Sequence, residues 1–213
     1  YSYEHSMSSP GGHRNIIFLK RGAPLRMIDR GAKGGGDNMP PDLWKWIRDE
    51  VLTQPGQRCV IVPHTFASGP LASWDWPNAE FDCLLEIYQG CRGSYEKHGL
   101  PPGEKRGRTQ TDQPGHFAVD ALDRGNLYGF VSFSDHRSTH NSWACVWTES
   151  IDRAGIIDSM LKRRAYAATD EILVKLNIDG KHTMGEQFEA PVGSPPNLNL
   201  EIEAPDDILR VDI

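Results

Sequence analysis

Several residues of types that commonly bind metal ions stand close together, directly after one apolar segment of the chain. The run from 128 to 133 is apolar and predicts a buried strand, and Asp135, His136, Arg137 and His140 come directly after it. Carboxylate and imidazole groups suit hard and borderline divalent ions. In α/β folds, ligands bind at this carboxyl end of the strands. The segment therefore predicts a functional site, against the alternative of a polar turn whose His side chains cap the backbone.

Further candidate ligands lie beside other predicted strands. Glu4 precedes a Ser/Pro/Gly turn, His13 opens the next apolar segment, and His64 follows the buried segment 59–62, while Glu86 lies within its own strand. Mixed imidazole and carboxylate ligands suit Zn, Mn or Fe. Several carboxylates among several His also suit a multinuclear site, in which a carboxylate bridges two ions. The four cysteines form no CxxC pair, which argues against a zinc ribbon.

Length and charge restrict the classes of protein to consider. The 213 residues fit one large domain, or one domain with a small module, and the net charge of −6 argues against general nucleic-acid backbone binding. The apolar runs are too short for a transmembrane helix. The chain begins without Met and ends inside an apparent strand at 208–213, so we expect it to be part of a longer protein.

The order of predicted elements indicates an α/β fold. Strands at 15–19, 59–62, 81–88, 128–133 and 144–147 alternate with helices at 43–52, 117–124 and 151–164, which is typical of a barrel or a doubly wound sheet. After about residue 170 the pattern changes to period two. The segments 172–178, 198–203 and 208–213 alternate apolar and polar residues between Gly/Pro turns, and they predict an antiparallel β module.

Short motifs in a fixed order also carry a family resemblance. They are YEHS (3–6), GGHRN (11–15), IVPHT (61–65), EIYQG (86–90), GSYE (93–96), GFVSFSDH (129–136) and RRAYAATD (163–170). In these segments, which span most of the chain, the sequence resembles polymerase-and-histidinol-phosphatase (PHP) domains, and among them a bacterial branch with a β module after the barrel. The resemblance implies a distorted (β/α)7 barrel, incomplete at its N-terminus, over residues 1–169, and the start of an antiparallel β module over 170–213.

The resemblance also implies a cluster of up to three divalent ions. Glu4 corresponds to the family's bridging carboxylate, His13 and His64 to single metal ligands, and Asp135 to the Asp of a late Asp-x-His pair. Two features depart from the family pattern. The ligands that precede the family's Glu have no counterpart in this chain, and Arg137 stands where the pair has its His. His136 or His140 takes that ligand's place, or Arg137 replaces an ion with a fixed positive charge suited to an oxyanion.

These residues predict a metal-dependent hydrolase of the phosphoesterase type, which uses a metal-activated water at a multinuclear site on a phosphoester or another small-molecule substrate. Asp135 and Arg137 are the candidate catalytic residues, and Arg92, Tyr95 and Glu86 are the candidate substrate contacts. The absence of a Gly-x-Ser-x-Gly motif argues against a Ser hydrolase. Two alternatives stay open at this point: a metal-dependent amide or ester hydrolase, and a non-catalytic binding protein with an inherited barrel.

Overall fold

The computed structural model describes residues 1–27, 39–64, 66, 72–90, 93–94, 96, 114–135 and 141–212. Short strands dominate these residues. The helices are α1 (Pro40–Trp46), which continues as a π-helical turn over Ile47–Val51, α2 (Ala118–Asp123) and α3 (Arg153–Leu161). The strands are β1 (Ser2–Ser6), β2 (His13–Phe18), β3 (Cys59–His64), β4 (Leu84–Gln89), β5 (Gly93–Ser94), β6 (Gly129–Phe133), β7 (Trp143–Val146), β8 (Ala165–Ala168), β9 (Leu173–Ile178), β10 (His182–Thr183) and β11 (Leu198–Glu203).

The first sheet has the order β1-β2-β3, and both of its pairings are antiparallel. Only six residues connect β1 to β2, which is too short for the crossover that parallel strands need. The turn depends on Gly12, whose φ of +73° favours glycine and where a Cβ would lie 2.4 Å from the Cβ of Ala72. The hairpin therefore brings β1 directly beside the start of β2.

The strands β4 to β8 form two further small sheets, and β4 lies beside β3 of the first sheet. β4 pairs in parallel with β6 and antiparallel with β5, and β7 pairs antiparallel with β8. The amide of Ile61 in β3 donates to the carbonyl of Phe81 (3.1 Å), which holds the chain before β4 against β3. The Ser132 hydroxyl of β6 lies 2.9 Å from the carbonyl oxygen of Ala168 in β8. The strands β3, β4, β6 and β8 are therefore neighbours in the structure.

Buried apolar residues form three clusters around these strands. One cluster packs α1 against the first sheet through Leu43, Trp44 and Ile47, and a second joins Val62 and Val131 to α3, as expected for alternating strand faces that meet helices. The third contains Phe66, Ala72 and Trp74 together with residues of α2. The core is therefore divided between the two faces of the strands.

A charged pair is buried within the first cluster. Arg14 and Asp82 are almost fully enclosed, with side-chain exposures of 1% and 2%, and Arg14 Nε lies 3.6 Å from Asp82 Oδ2. The guanidinium also donates to the Gly11 carbonyl and lies over the Trp44 ring. Burial raises the pKa of Asp82, and the adjacent Arg14 opposes that increase. The protonation states of the two side chains are therefore tightly coupled. If one charge were removed, water could not stabilise the other, because both side chains are enclosed.

The last part of the chain forms a separate three-stranded sheet with the order β10-β9-β11, antiparallel throughout. Its strands are half-buried or exposed, consistent with one face against the rest of the protein. The segment 208–212 is not a strand in the structure, so the prediction of a strand at 208–213 is wrong for its described residues. Alternation alone does not form a strand when no neighbouring strand pairs with it.

The predicted (β/α)7, TIM-like barrel is wrong. Such a barrel needs parallel strands that are each followed by a helix, whereas the described residues hold several small sheets, mostly antiparallel, and three short α-helices. Among the described strand pairs, only β4 with β6 is parallel. No helix within the described residues is long and apolar enough to cross a membrane.

Candidate metal centre

The β1-β2 hairpin places three polar side chains on one face. In the antiparallel register Glu4 pairs with Asn15, and Ser6 pairs with His13. Paired residues share a face, and residues two apart on a strand share it too. Glu4, Ser6 and His13 therefore lie side by side, while His5 and Arg14 point to the opposite face, where both are buried. The short turn before His13 fixes this arrangement.

His64 joins the same face from β3. It is the last residue of a strand that is buried at every position, and it pairs directly with His13. The two imidazole rings have centroids 5.7 Å apart and are nearly perpendicular, at 84°. Only 4% of His64 is exposed, because the neighbouring strands enclose the end of β3. The predicted ligand after the apolar run 59–62 is thus a buried imidazole at the edge of the core.

The side chains of Glu4, His13 and His64 form a compact cluster. Glu4 Oε1 lies 2.8 Å from His13 Nδ1 and 3.9 Å from His64 Nε2. One ligand atom of each residue lies within 4.8 Å of those of the other two, so the three residues could hold a metal ion. Two ligands of one zinc ion, at about 2.0–2.1 Å each, are at most about 4.2 Å apart. Small side-chain movements would therefore bring all three ligand atoms onto one ion.

The protonation states of this cluster suit metal binding. Hydrogen bonds from His13 and Ser6 lower the pKa of Glu4 to about 2, against the opposing effect of its partial burial. Burial lowers the pKa of His64 to about 4, and the nearby Glu4 carboxylate only partly offsets this. At neutral pH, Glu4 is therefore a carboxylate and His64 a neutral imidazole. Both are the forms that coordinate a metal.

Asp135 lies close to the cluster but is not one of its three members. It is half-buried, two residues after the end of β6, and its φ of 58° is in the left-handed region that Asp tolerates better than most residues. Its negative charge raises the pKa of His64, which opposes the effect of burial. Asp135 therefore adds negative potential at the site from a second loop.

Glu86 lies deeper in the protein than the cluster. It is in the middle of β4, 1% exposed, and pairs with Val131 of β6. Leu84, two residues earlier on the same strand, packs in the cluster of buried residues that also contains Val62. By strand alternation, Glu86 is on the same face of β4 as Leu84, the face that packs in the cluster containing Val62. A carboxylate beneath a metal site is suited to orient its ligands rather than to replace them.

Five of the predicted site residues lie outside the described residues: Arg92, Tyr95, His136, Arg137 and His140. Their predicted roles as substrate contacts, ligands or charge partners stay predictions. Of the four cysteines, Cys59 and Cys83 are buried, and burial raises the pKa of both thiols to about 12. Protonated buried thiols are poor ligands, so the acidic and imidazole residues provide the candidate metal chemistry.

One residue of the site was missed in the sequence. The Ser6 hydroxyl donates to Glu4 Oε1 at 2.8 Å, the same oxygen that faces His13. The signal was its spacing of two from Glu4, which places both on one face of a strand. The spacing is informative only if residues 2–6 are first recognised as a strand.

Comparison with family models, with curated proteins and with solved structures gives no match for this chain. The functional argument therefore rests on the geometry of Glu4, His13 and His64.

Proposed function

We propose that this protein is a metal-dependent hydrolase whose divalent ion is held by Glu4, His13 and His64. The observation that carries the proposal is the convergence of these three candidate ligands within 4.8 Å at the end of a buried strand. Three protein ligands are typical of catalytic zinc sites, which keep a further position for water or substrate, whereas structural zinc sites have four. Two imidazoles and a carboxylate suit Zn, and also Mn or Fe.

The accessibility of the three ligands supports a catalytic role. The side chain of His64 is enclosed, but 25% of the His13 side chain and 42% of the Glu4 side chain are exposed. Water and a small substrate can therefore reach the ligand atoms from one side. A divalent ion in this position supplies Lewis acidity, which lowers the pKa of a coordinated water and polarises a phosphoryl or carbonyl oxygen.

The protein's own residues have separate tasks in this proposal. His64 fixes the ion from the buried side, and the hydrogen bond from Ser6 orients the carboxylate of Glu4. Asp135 contributes negative charge, as a further ligand or as a base for the attacking water. Ser6 is not a nucleophile in this scheme, because its hydroxyl donates to a carboxylate rather than to an imidazole, the base that activates a catalytic serine.

A phosphoester is the proposed substrate class, since a divalent ion neutralises the charge of the phosphoryl oxygens. The PHP-like motifs support this choice as a resemblance, although the barrel of that family is not the fold found here. Arg137 and Arg92 are proposed partners for the substrate's negative charge. The same cluster could activate water for attack on an amide or ester, so the experiment includes both substrate classes.

The test begins with protein that has been stripped by a chelator and loaded with Zn, Mn or Fe(II). Metal content is measured by mass spectrometry after gel filtration, and turnover is measured on aryl phosphate monoesters and diesters and on an aryl acetate. Glu4→Ala is compared with a matched control, Glu189→Gln, in which an exposed carboxylate away from the site is neutralised. We expect one ion per chain in the control, loss of the ion in Glu4→Ala, and phosphoester turnover only with metal.

Each outcome has a separate meaning. A wild-type chain that binds none of the three ions contradicts the metal centre. A chain that binds an ion through Glu4 but hydrolyses no substrate contradicts the enzyme proposal alone and supports a non-catalytic binding protein. Metal-dependent turnover of the acetate without the phosphates shows that the phosphoester assignment is wrong and supports an ester or amide hydrolase.

A further inference from the structure

A large groove lies between the carboxyl ends of β4 and β8 and the C-terminal sheet. Its volume is about 940 Å³, and its lining comes from β4, β8, β9, β11 and the segment 204–210. This volume falls within the range of small-molecule sites. We propose that the groove binds a small amphiphilic cation, with an apolar body and a protonated amine. None of its lining residues belongs to the Glu4, His13 and His64 cluster, so this proposal does not depend on the proposed metal centre.

The floor of the groove exists because the strand ends carry small side chains. Ala167, Ala168 and Thr169 line it at the end of β8, next to Ile87 and Tyr88 of β4. A larger residue at an alanine position would fill part of the space that a ligand needs. The floor is mainly apolar, so an apolar ligand body that enters it gains free energy by leaving water.

One wall is formed by the C-terminal sheet and is held in place by specific hydrogen bonds. Val174 and Ile202 are cross-strand partners on β9 and β11, and both line the groove. The Tyr166 hydroxyl donates to the Ile172 carbonyl (2.9 Å) and accepts from the Val174 amide (3.1 Å). The Trp147 indole N–H donates to the Val174 carbonyl at 2.8 Å. This wall is therefore preformed, which reduces the entropy that a ligand would lose on binding.

The opposite wall exposes apolar side chains to solvent. Ile208 and Leu209 line the groove and are 48% and 95% exposed. Single exposed apolar residues are common, but these two line the same groove as the apolar side chains of Ile87, Ile172 and Ile202. The groove is open to solvent, and its volume is large enough for a short alkyl chain or an aromatic ring.

The charges around the groove favour a cation. Glu96, Asp170, Asp206 and Asp207 contribute four carboxylates to its lining. Among the described residues that line the groove, Arg210 is the one cation, and Asp212 offsets its charge with Oδ1 2.7 Å from Arg210 Nε. Carboxylates at the rim of an apolar cleft produce a negative potential that attracts a cation and repels an anion. The groove therefore selects for charge as well as for apolar surface.

The experiment compares three eight-carbon ligands that differ only in their head groups: octylamine, octanol and octanoate. Binding is measured by isothermal titration calorimetry at pH 7 in the presence of EDTA, so that the metal centre cannot contribute. The order of affinity should be octylammonium, then octanol, then octanoate, with at least about a tenfold difference between the two charged ligands. Equal affinities for octylammonium and octanoate would overturn the proposed charge selection, and an absence of binding by all three would overturn the site.

Two double variants locate the site. Asp206→Asn with Asp207→Asn should weaken octylammonium binding by about tenfold and leave octanol binding unchanged, because only the rim charge is removed. Ile208→Ser with Leu209→Ser should weaken binding of both ligands. All four residues are exposed, so the fold should be retained, which circular dichroism checks. The matched control is Asp123→Asn with Glu189→Gln, which removes two exposed charges outside the groove. Octylammonium binding that is unchanged in both test variants, or weakened equally in the control, contradicts the proposed location.

Discussion

His13 and His64 are direct partners across the β2-β3 ladder, and their rings lie 5.7 Å apart at nearly a right angle. They come from opposite ends of strands that run antiparallel, so the first residue of one strand meets the last residue of the other. Glu4 reaches the same place from β1. The cluster thus depends on the register of three strands rather than on any one loop.

His13→Ala and His64→Ala should each weaken zinc binding by more than roughly 100-fold, because removal of a direct ligand costs more than the 10- to 100-fold typical of an outer partner. The double variant should be little worse than either single variant, since both lose the same ion. Competition titration with a fluorescent zinc chelator measures the affinities, and His182→Ala is the control. Wild-type zinc affinity in one of the two single variants would show that the two imidazoles do not share an ion.

Asp135→Ala should lose metal and activity together, whereas Glu86→Ala should keep most of its metal and lose rate. Asp135 follows a strand end and raises the pKa of His64, which indicates that it lies near the ligands. Glu86 is enclosed within β4, where loss of an outer partner usually costs about 10- to 100-fold. Metal content by mass spectrometry is compared with turnover for each variant. Full metal occupancy with lost turnover in Asp135→Ala would assign Asp135 the role of base rather than ligand, and complete metal loss in Glu86→Ala would contradict its assignment.

Asp82→Asn should destabilise the protein by about 3–5 kcal/mol, because it leaves the buried Arg14 guanidinium without a counter-charge. The matched control is Asp75→Asn. Asp75 also pairs with an arginine, Arg124 at 3.1 Å, but both side chains are at least half exposed, so this change should cost much less than Asp82→Asn. Urea unfolding measures both free energies. Equal losses in the two variants would show that burial does not distinguish the two pairs.

Acid should destabilise the metal-free protein from about pH 6.5 downward, before most carboxylates are protonated. Burial lowers the pKa of His5 to about 4, as it does for His64. Between their unfolded value of about 6.5 and 4, the unfolded chain binds more protons than the folded one, so stability falls as the pH falls. Each residue contributes a loss of the order of 3 kcal/mol at about 1.4 kcal/mol per pKa unit.

The contribution of one histidine can be separated with a variant. His5→Gln removes a titrating group, so its free energy of unfolding should change less between pH 6.5 and 4 than that of the wild type, by roughly the loss assigned to one histidine. Urea unfolding in EDTA at several pH values measures the slopes, and His182→Gln, which changes a partly exposed residue, should retain the wild-type slope. Identical slopes in His5→Gln and the wild type would contradict the assignment.

Part of this structure could be predicted from the sequence. The apolar runs before His64 and Asp135 are long enough to form buried strands, and β3 and β6 occupy them. β1 and β8 were missed because YEHS and AYAA carry few large apolar residues to show a period. The barrel prediction failed on strand direction, since a helix between two strands, as between β2 and β3, does not force them to be parallel. The six-residue connection from β1 to β2 argues against a barrel, but it can be recognised only once β1 is known to be a strand.

The candidate site could be predicted as a set of residue types but not as a geometry. Glu4, His13 and His64 are separated by up to 60 positions, and only the register of two ladders brings them together. The Arg14–Asp82 pair could not be predicted, because neither residue has a local pattern that indicates burial. Side-chain contacts between distant segments depend on the way in which the sheets pack.

The pairing of His13 with His64 also makes metal binding a reporter of folding accuracy. Side chains on a strand alternate between two faces. A shift of β2 by one residue would therefore move His13 to the opposite face of the sheet and bring Arg14 to the face that carries Glu4 and His64. Such a misfolded chain could keep nearly the same strand content and appear native by circular dichroism. It could not hold the ion through both imidazoles. Zinc added during refolding should therefore enrich the correctly registered population, and the fraction of chains that bind zinc should measure that population.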